Sequence, residues 1–185
     1  MPFPMFWMTS WFMKFFRSFK FALKGIIYTL KNERHMRIHV VASLCVFILS
    51  LFFDLNSEKY ALLILTMASV MISEMINSSI ECVVDIFAKD YNSIAKAAKD
   101  MAAGAVLVAA GFSVAVGVIL FSDINSYVKM FNFFISYPIA LLGLFCFITI
   151  SYFYIFWGPT EIKNYLNKTL SILKKILKNK LNGES

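Results

Sequence analysis

The stretch that decides the fold is ISEMINSSIECVVD at residues 72–85, which continues directly from the uncharged run YALLILTMASVM at residues 60–71. A helix that spans a membrane needs about 20 predominantly apolar residues, so the two runs together are long enough. The second run nevertheless carries Glu74, Glu81 and Asp85. Ionisable residues inside a span are costly, which makes these carboxylates candidates for a functional site.

The composition is that of an integral membrane protein. Of 185 residues, 59% are hydrophobic and 16% are charged, and the mean hydropathy is +0.70. Ordinary soluble domains are roughly 45–50% apolar and about 25% charged. Cys45, Cys82 and Cys146 lie far apart within apolar runs, so we expect them to pack as small apolar side chains. The first residues have neither an early basic segment nor a small-residue cleavage site, so a removed signal peptide is not expected.

Four apolar stretches predict an all-α membrane protein with four helical spans. They cover approximately residues 38–53, 60–84, 101–121 and 127–157. The first stretch is short and must borrow flanking residues or tilt little, whereas the last can tilt or continue into the interface. We find no repeat or strand pattern that competes with this interpretation.

The distribution of Lys and Arg predicts the orientation in the membrane. Seven precede the first span, three lie between the second and third, and six follow the fourth, so 16 of the 18 fall on one side. Lys59 and Lys129 alone fall on the other side. Because basic loops stay in the cytoplasm, both termini and the loop at residues 85–100 are expected to be cytoplasmic, in the cell inner (plasma) membrane.

Two amphipathic segments flank the spans. The first presents an apolar helical face made of Phe12, Phe15, Phe16, Phe19, Leu23, Ile26, Ile27 and Leu30. After Gly158-Pro159, the tail opposes Ile162, Leu166, Leu170, Leu173 and Leu177 to Lys163, Lys168, Lys174, Lys175 and Lys178. Both segments are expected to lie on anionic lipid headgroups, which accounts for the net charge of +7 without a nucleic-acid partner. The N-terminal one could also wall an interfacial active site.

The acidic residues share one face of the predicted second span. At 100° per residue, Glu74, Glu81 and Asp85 fall within about 40° of one another, with Asn77 and Ser78 beside them. Glu74 lies about 16 Å deeper than Asp85, so the polar face leads from the cytoplasmic end into the hydrocarbon. A single buried Glu could instead be protonated or hydrogen-bonded between helices as a structural contact.

A row of carboxylates at this position suits two chemistries. One is proton or cation transport, in which acids accept and release ions along a path. The other is metal-assisted phosphoryl transfer, in which carboxylates hold Mg²⁺ and another takes a proton from the acceptor. The sequence contains no Walker A motif and no protein-kinase motif set, so periodicity alone leaves both interpretations open.

Three blocks of sequence resemble the prokaryotic diacylglycerol kinase family. They are ALKGIIYTLKNERHMRIH at residues 22–39, EMINSSIECVVD at residues 74–85 and AKAAKDMAAGAVL at residues 95–107, in the family's order and spacing. The segments NERHMRIH and KDMAAGAVL are most similar to the Gram-positive-type branch, whose members are undecaprenol kinases. The resemblance covers approximately residues 14–121. It implies a homotrimer in which each protomer has an interfacial N-terminal helix and three core spans.

The resemblance also implies the chemistry and the site residues. The activity would be transfer of the ATP γ-phosphoryl group to a lipid hydroxyl, undecaprenol or diacylglycerol, with Mg²⁺ and with Glu74 as general base. Glu33 and Glu81 match the metal-binding pair. The other positions that match nucleotide-binding residues are Lys14, Phe21, Asp90, Tyr91, Asn92, Lys99 and Asp100, and Asn77 and Asp85 fit the supporting polar network. Asn92 stands where many members have His.

These considerations predict a lipid kinase domain at residues 1–125, followed by an additional fourth span and a basic interfacial helix at residues 126–185. The alternative is a small transporter or proton-relay protein that uses the carboxylate row. Glu33 and the Lys99-Asp100 pair favour the kinase, because a transporter has no need of phosphate ligands there. His35 and His39 are too isolated to form a metal site and are expected at the surface or near headgroups.

Overall fold

The computed structural model describes residues 5–88 and 90–181, and within them the side chains of all but residues 5–12, 163, 166 and 172–181. The described chain forms six helices: α1 (Met5–Asn32), α2 (Arg34–Ser50), α3 (Ser57–Phe87), α4 (Ser93–Leu120), α5 (Ile124–Ser136) and α6 (Pro138–Leu181). The all-α prediction is confirmed for these ranges. Lys89, which contributed to the predicted orientation, lies outside the described residues, as do the side chains of Phe12 and of most of the basic tail.

Among the described residues, three helices are long and apolar enough to cross a membrane: Ser57–Phe87, Ser93–Leu120 and Pro138–Ile162. They correspond to the second, third and fourth predicted spans. The first predicted span corresponds to α2, which has 17 residues. That length is at the lower limit of about 17 residues for a spanning helix, so the membrane crossing of α2 stays a prediction.

The predicted bounds of the fourth span were wrong. The helix does not run from residue 127 to 157, because α5 ends at Ser136 and a new helix begins at Pro138. Tyr137 between them has φ −125° and ψ 81°, outside the helical region. A residue that precedes proline is disfavoured in the helical conformation, which explains the break. The apolar sequence of α5 concealed this boundary.

The α1 helix is continuous up to Asn32, and the predicted apolar face is largely exposed on it. The exposed side chains on this face are Phe15, Phe16, Phe19, Leu23, Ile26 and Ile27. A helix whose apolar face is not covered by its own chain, and whose opposite face is basic, is typical of the membrane interface. This arrangement agrees with the predicted interfacial N-terminal helix.

Helix α3 packs most extensively against α4 and also contacts α2. The end of this group that is remote from Asp85 is closed by an aromatic cluster, in which the ring centroid of Phe53 lies 4.9 Å from that of Phe121 and 5.1 Å from that of Tyr127. Lys129 of α5 also forms a 3.0 Å ion pair with Asp54 of the α2–α3 connection. Leu63 of α3 belongs to the same buried cluster as Phe53 and Phe121, so this end of α3 packs against the ends of α2 and α4.

Candidate active site around Glu74

Glu74 is buried in the described chain, with 3% of its surface exposed. Asn77 and Ser78, one turn further along α3, are buried as well. The Ser78 hydroxyl donates a 3.0 Å hydrogen bond to the Glu74 carbonyl, so this polar side chain is satisfied by its own helix. The polar face of α3 predicted from helical periodicity therefore turns toward the interior of the protein at Glu74 and Asn77.

Asn77 connects the buried part of this face to Glu81. Its Nδ2 amide donates a 3.0 Å hydrogen bond to the Glu81 Oε1. The described part of the chain provides no hydrogen-bond donor for the buried Asn77 Oδ1. The amide cannot be turned to exchange the two atoms, because its oxygen would then face a carboxylate that only accepts. A buried acceptor without a donor is costly, so Oδ1 is available for a ligand.

Glu33 occupies the corner between α1 and α2. It is the only residue between the two helices, and its backbone is extended, with φ −97° and ψ 116°. The Glu33 side chain is half-buried at this corner. His39, His35, Glu81 and Glu33 are ionisable groups that lie near enough to Glu74 to interact electrostatically with its carboxyl. The three glutamates predicted to act together therefore belong to one electrostatic environment.

His35 and His39 lie nearer to Glu74 than the sequence indicated. His35 is exposed and His39 half-buried, one turn apart near the beginning of α2. Both lie near enough to Glu74 for an electrostatic interaction with its carboxyl. The sequence predicted surface or headgroup contacts for them, since nothing in their spacing reveals which helix α2 packs against.

Arg37, which no sequence motif singled out, is buried at the same corner. Its Nη1 donates to the Lys31 carbonyl at 3.0 Å, and its Nε donates to the Ile155 carbonyl at 3.2 Å. The neighbouring Arg34 places its guanidinium carbon 4.2 Å from the ring centroid of Phe156. The only available signal was the helix-breaking Gly158-Pro159 pair, which does not identify its partner.

Lys99 and Asp100 lie in the second turn of α4 and belong to different ion pairs. Lys99 pairs with Asp85 at the end of the polar face of α3. Asp100 lies 3.9 Å from Lys96 on its own helix, and both side chains are about two-thirds exposed. Asp85 thus joins the carboxylate row to α4, whereas Asp100 faces outward.

The remaining predicted nucleotide residues are exposed. Asp90 and Tyr91 lie in the α3–α4 connection, and Asn92 caps α4 by accepting hydrogen bonds from the Ile94 and Ala95 amides at 2.9 and 3.2 Å. Lys14 and Phe21 lie on α1 about 28 and 18 Å before Glu33 along the helix axis. The described chain therefore does not bring Lys14 and Phe21 to the three glutamates by itself.

An apolar cavity of about 270 Å³ lies between α2, α3 and α4. Its lining includes His39, Met67, Val70, Ala110 and Val114. Val70 is one turn before Glu74, about 6 Å further from the Asp85 end of α3. The cavity thus ends about one turn short of the buried carboxylate and continues from there along α3 toward Leu63.

The part of the chain that contains these residues is similar to known proteins. The family model described as prokaryotic diacylglycerol kinase matches residues 20–121. This range includes all three glutamates and ends at Phe121, so α5 and α6 lie outside it.

Individual relatives give the same picture. The chain is 35% identical over 108 residues to the undecaprenol kinase of Bacillus subtilis (strain 168), which covers 58% of this chain and 88% of that protein. It is 34% identical over 101 residues to the diacylglycerol kinase of Escherichia coli (strain K12), covering 55% and 83%. It is 41% identical over 101 residues to a diacylglycerol kinase of Synechocystis sp. (strain ATCC 27184 / PCC 6803 / Kazusa), covering 54% of this chain and 58% of that protein.

Proposed function

Because the chain belongs to the prokaryotic diacylglycerol kinase family, we propose that it is a membrane lipid kinase that transfers the γ-phosphoryl group of ATP to the hydroxyl of undecaprenol or diacylglycerol. The observation that carries this proposal is the buried Glu74 on the same face as Glu81, with Glu33 of the α1–α2 corner in the same electrostatic environment. The family match favours phosphoryl transfer over ion transport as the use of this carboxylate row.

Glu74 would act as the general base. It lies about 10 Å from Glu81 along α3, on the side of the apolar cavity, where a lipid hydroxyl is expected rather than a nucleotide. Its carboxylate would accept the hydroxyl proton while the oxygen forms a bond to the γ-phosphorus and the bond from that phosphorus to the β-phosphate bridging oxygen breaks. ADP is the leaving group, and the proton stays on Glu74 until it is released.

The residues present fit a magnesium ion that is held jointly with the nucleotide. Within the described ranges, no group of three or more His, Cys, Asp or Glu side chains is close enough to hold a metal by itself. Mg²⁺ commonly takes only one or two carboxylates together with phosphate oxygens and water. Glu33 and Glu81 would supply those carboxylates, and the donorless Asn77 Oδ1 beside Glu81 offers a further oxygen acceptor for a coordinated water. When bound, the ion would neutralise charge on the phosphates.

The nucleotide would lie between the carboxylates and the beginning of α4. Lys99 is in direct contact with the carboxylate row, since it pairs with Asp85, and it would turn to the phosphates when they arrive. Asp90, Tyr91 and Asp100 are exposed around this position, where they can contact the nucleotide. Asn92 already uses its side-chain oxygen to cap α4, so only its amide group is free to bind ATP.

The lipid would enter from the membrane. The cavity between α2, α3 and α4 is lined mainly by apolar side chains and extends to Val70, one turn from Glu74, so it suits the first part of a hydrocarbon chain whose hydroxyl would extend to the base. The proposed setting is the plasma membrane, with both termini cytoplasmic and with α1 on anionic headgroups. A homotrimer would let Lys14 or Phe21 of one protomer contribute to a neighbouring site, which a single chain does not allow.

The proposal is tested by incubating the purified protein in lipid nanodiscs with Mg-ATP and equal amounts of diacylglycerol and undecaprenol. We expect phosphate to appear on at least one of the two lipids and to require Mg²⁺. The product identifies the substrate. Absence of phosphate from both lipids, with a protein that is folded by circular dichroism, would contradict the proposal.

A further inference from the structure

Arg37 joins three helices at the corner that contains Glu33. It is buried, with 7% of its surface exposed, and none of the ion pairs found among the described residues involves it. Its guanidinium instead donates to the carbonyls of Lys31 in α1 and Ile155 in α6. A buried cation without a carboxylate needs such hydrogen bonds to offset its desolvation.

Both carbonyls lack their usual helical partner, because α1 ends at Asn32 and α6 is kinked at Gly158. In a continuous helix the Ile155 carbonyl would accept from the amide of residue 159, but that residue is Pro159, which has no N–H. The Lys31 carbonyl lies in the last turn of α1, whose final carbonyls have no partner within the helix. Helix ends of this kind carry partial negative charge, so both favour a cation. Arg37 therefore satisfies two helix ends with one side chain.

Gly158 provides the space for this guanidinium. It has φ 69° and ψ 161°, a conformation that is essentially restricted to glycine. A Cβ atom at this position would lie 3.2 Å from both the Cζ and the Nη1 of Arg37. The bend of α6 at Gly158 and the position of Arg37 thus depend on each other.

The hydrogen bond between Arg37 and the Lys31 carbonyl spans the chain segment that contains Glu33. Lys31 precedes Glu33 by two residues, and Arg37 follows it by one helical turn. The backbone amide of Glu33 also bonds to the Thr29 carbonyl at 2.8 Å, and the amide of Arg37 bonds to the Glu33 carbonyl at 3.4 Å. The angle between α1 and α2, and with it the direction of the Glu33 carboxylate, is consequently restrained from both sides.

We propose that Arg37 is a positioning residue for the nucleotide site: by binding the Lys31 and Ile155 carbonyls, it makes the additional helix α6 hold the α1–α2 corner and orient Glu33 toward Mg-ATP. This inference rests on the proposed function, since it gives α6 a role in the same reaction. It assigns a use to a helix that lies outside the family match.

The test compares Arg37→Lys and Gly158→Ala with Gly143→Ala in the full chain. Lys has one charged group and cannot bond to both carbonyls as the guanidinium does, whereas Gly158→Ala leaves Arg37 in place but crowds its guanidinium and strains the bend of α6. Gly143→Ala is the matched control, because a Cβ there meets nothing within 4 Å and α6 is otherwise unchanged. Each protein is assayed for kcat and for the KM values of Mg-ATP and of the phosphorylated lipid.

We expect Arg37→Lys and Gly158→Ala each to raise the KM for Mg-ATP about three- to tenfold, with a smaller effect on kcat and on the KM for lipid. The double variant should be little worse than either single variant, because both changes remove the same contact. Gly143→Ala should match the parent.

Two results would overturn this role. One is an unchanged KM for Mg-ATP in a folded variant of either kind, and the other is an equal rise in both KM values, which would indicate general loosening of the fold. If Arg37→Lys does not fold, Gly158→Ala provides the same test. A parent protein that phosphorylates neither lipid would instead refute the proposed function, and the role of Arg37 with it.

Discussion

Asn77 and Glu81, one turn apart on α3, are joined by a 3.0 Å side-chain hydrogen bond in which the amide donates to the carboxylate. This bond links the buried level of Glu74 to the more accessible level of Glu81. It also fixes the direction of the Glu81 carboxylate before any ligand arrives. Removal of the amide donor should therefore affect the reaction without removing a reacting group.

The Asn77→Asp substitution tests this link. It keeps the shape of the side chain but replaces the donor by a second carboxylate facing Glu81. We expect turnover to fall about 10- to 100-fold, as for loss of a hydrogen bond to a charged group, and the KM for Mg-ATP to rise. The control is Ser79→Ala on the same helix, whose exposed hydroxyl donates a 2.8 Å hydrogen bond to the Met75 carbonyl and should be dispensable. Equal rates for Asn77→Asp and the parent would show that the hydrogen bond is not needed.

Glu81→Gln tests the proposed metal ligand. The substitution keeps volume and hydrogen-bonding capacity but removes the charge, so the Mg²⁺ concentration for half-maximal activity should rise at least about tenfold while the fold is retained. Glu58→Gln makes the same change in the first turn of α3, at an exposed position remote from the site, and should behave as the parent. An unaltered Mg²⁺ requirement in Glu81→Gln would refute the metal role.

The orientation is tested with a reporter fused after Ser185. Sixteen of the 18 basic residues lie on the side assigned to the cytoplasm, so a reporter that is active only in the cytoplasm should be active in this fusion. A second fusion in the α2–α3 connection after Asp54 should give the opposite result. Activity of the first fusion only outside the cytoplasm would reverse the orientation and place the glutamates on the wrong side for ATP.

The hydrogen bonds of Asp123, in the connection between α4 and α5, should make the stability of the protein depend on pH. The Ser126 hydroxyl, the Asn125 amide and the Lys129 charge hold the pKa of the Asp123 carboxyl below its ordinary value of 3.8. A lowered pKa in the folded state means that the carboxylate stabilises the fold above pH 3.8 and that this contribution is lost as the pH falls through the lower, folded value.

Asp123→Asn keeps a good helix cap but is neutral at every pH. Its thermal unfolding midpoint should thus be lower than that of the parent at pH 6 and approach the parent's midpoint well below pH 3.8. Ser126→Ala, which removes the strongest of the hydrogen bonds to Asp123, should reduce the same pH dependence. A difference between the parent and Asp123→Asn that is constant with pH would contradict this interpretation.

Periodicity was sufficient to predict the helical fold and the polar face of α3, because both depend on local spacing along one helix. The burial of Glu74 and Asn77 follows from the same pattern. The helix break at Tyr137-Pro138 was missed although Pro138 signals it, because the apolar residues on both sides read as one span. A proline in such a run is a boundary when the residue before it leaves the helical region.

The contacts of Arg37 could not be predicted from the sequence. Ile155 lies 118 residues away, and its carbonyl is a backbone group that every residue has. Likewise, Asn92 matched a nucleotide position, but its use as a helix cap depends on where α4 begins. Long-range backbone contacts and helix ends depend on the packing of the whole chain, whereas the glutamates on α3 are related by a single helix.

The most direct test of the proposed mechanism is phosphoryl transfer by Glu74→Gln in nanodiscs that contain diacylglycerol and undecaprenol. Gln keeps the volume and a hydrogen-bonding group but cannot take the hydroxyl proton, so transfer should fall about 10²- to 10⁴-fold. Binding of a non-hydrolysable ATP analogue should be nearly unchanged, because Glu74 lies about 10 Å from Glu81 along α3. Thermal stability should hold or rise, since an acid that is costly to ionise in the membrane is replaced by a neutral amide. A folded Glu74→Gln protein that phosphorylates lipid at the parent's rate would contradict the assignment of Glu74 as the base.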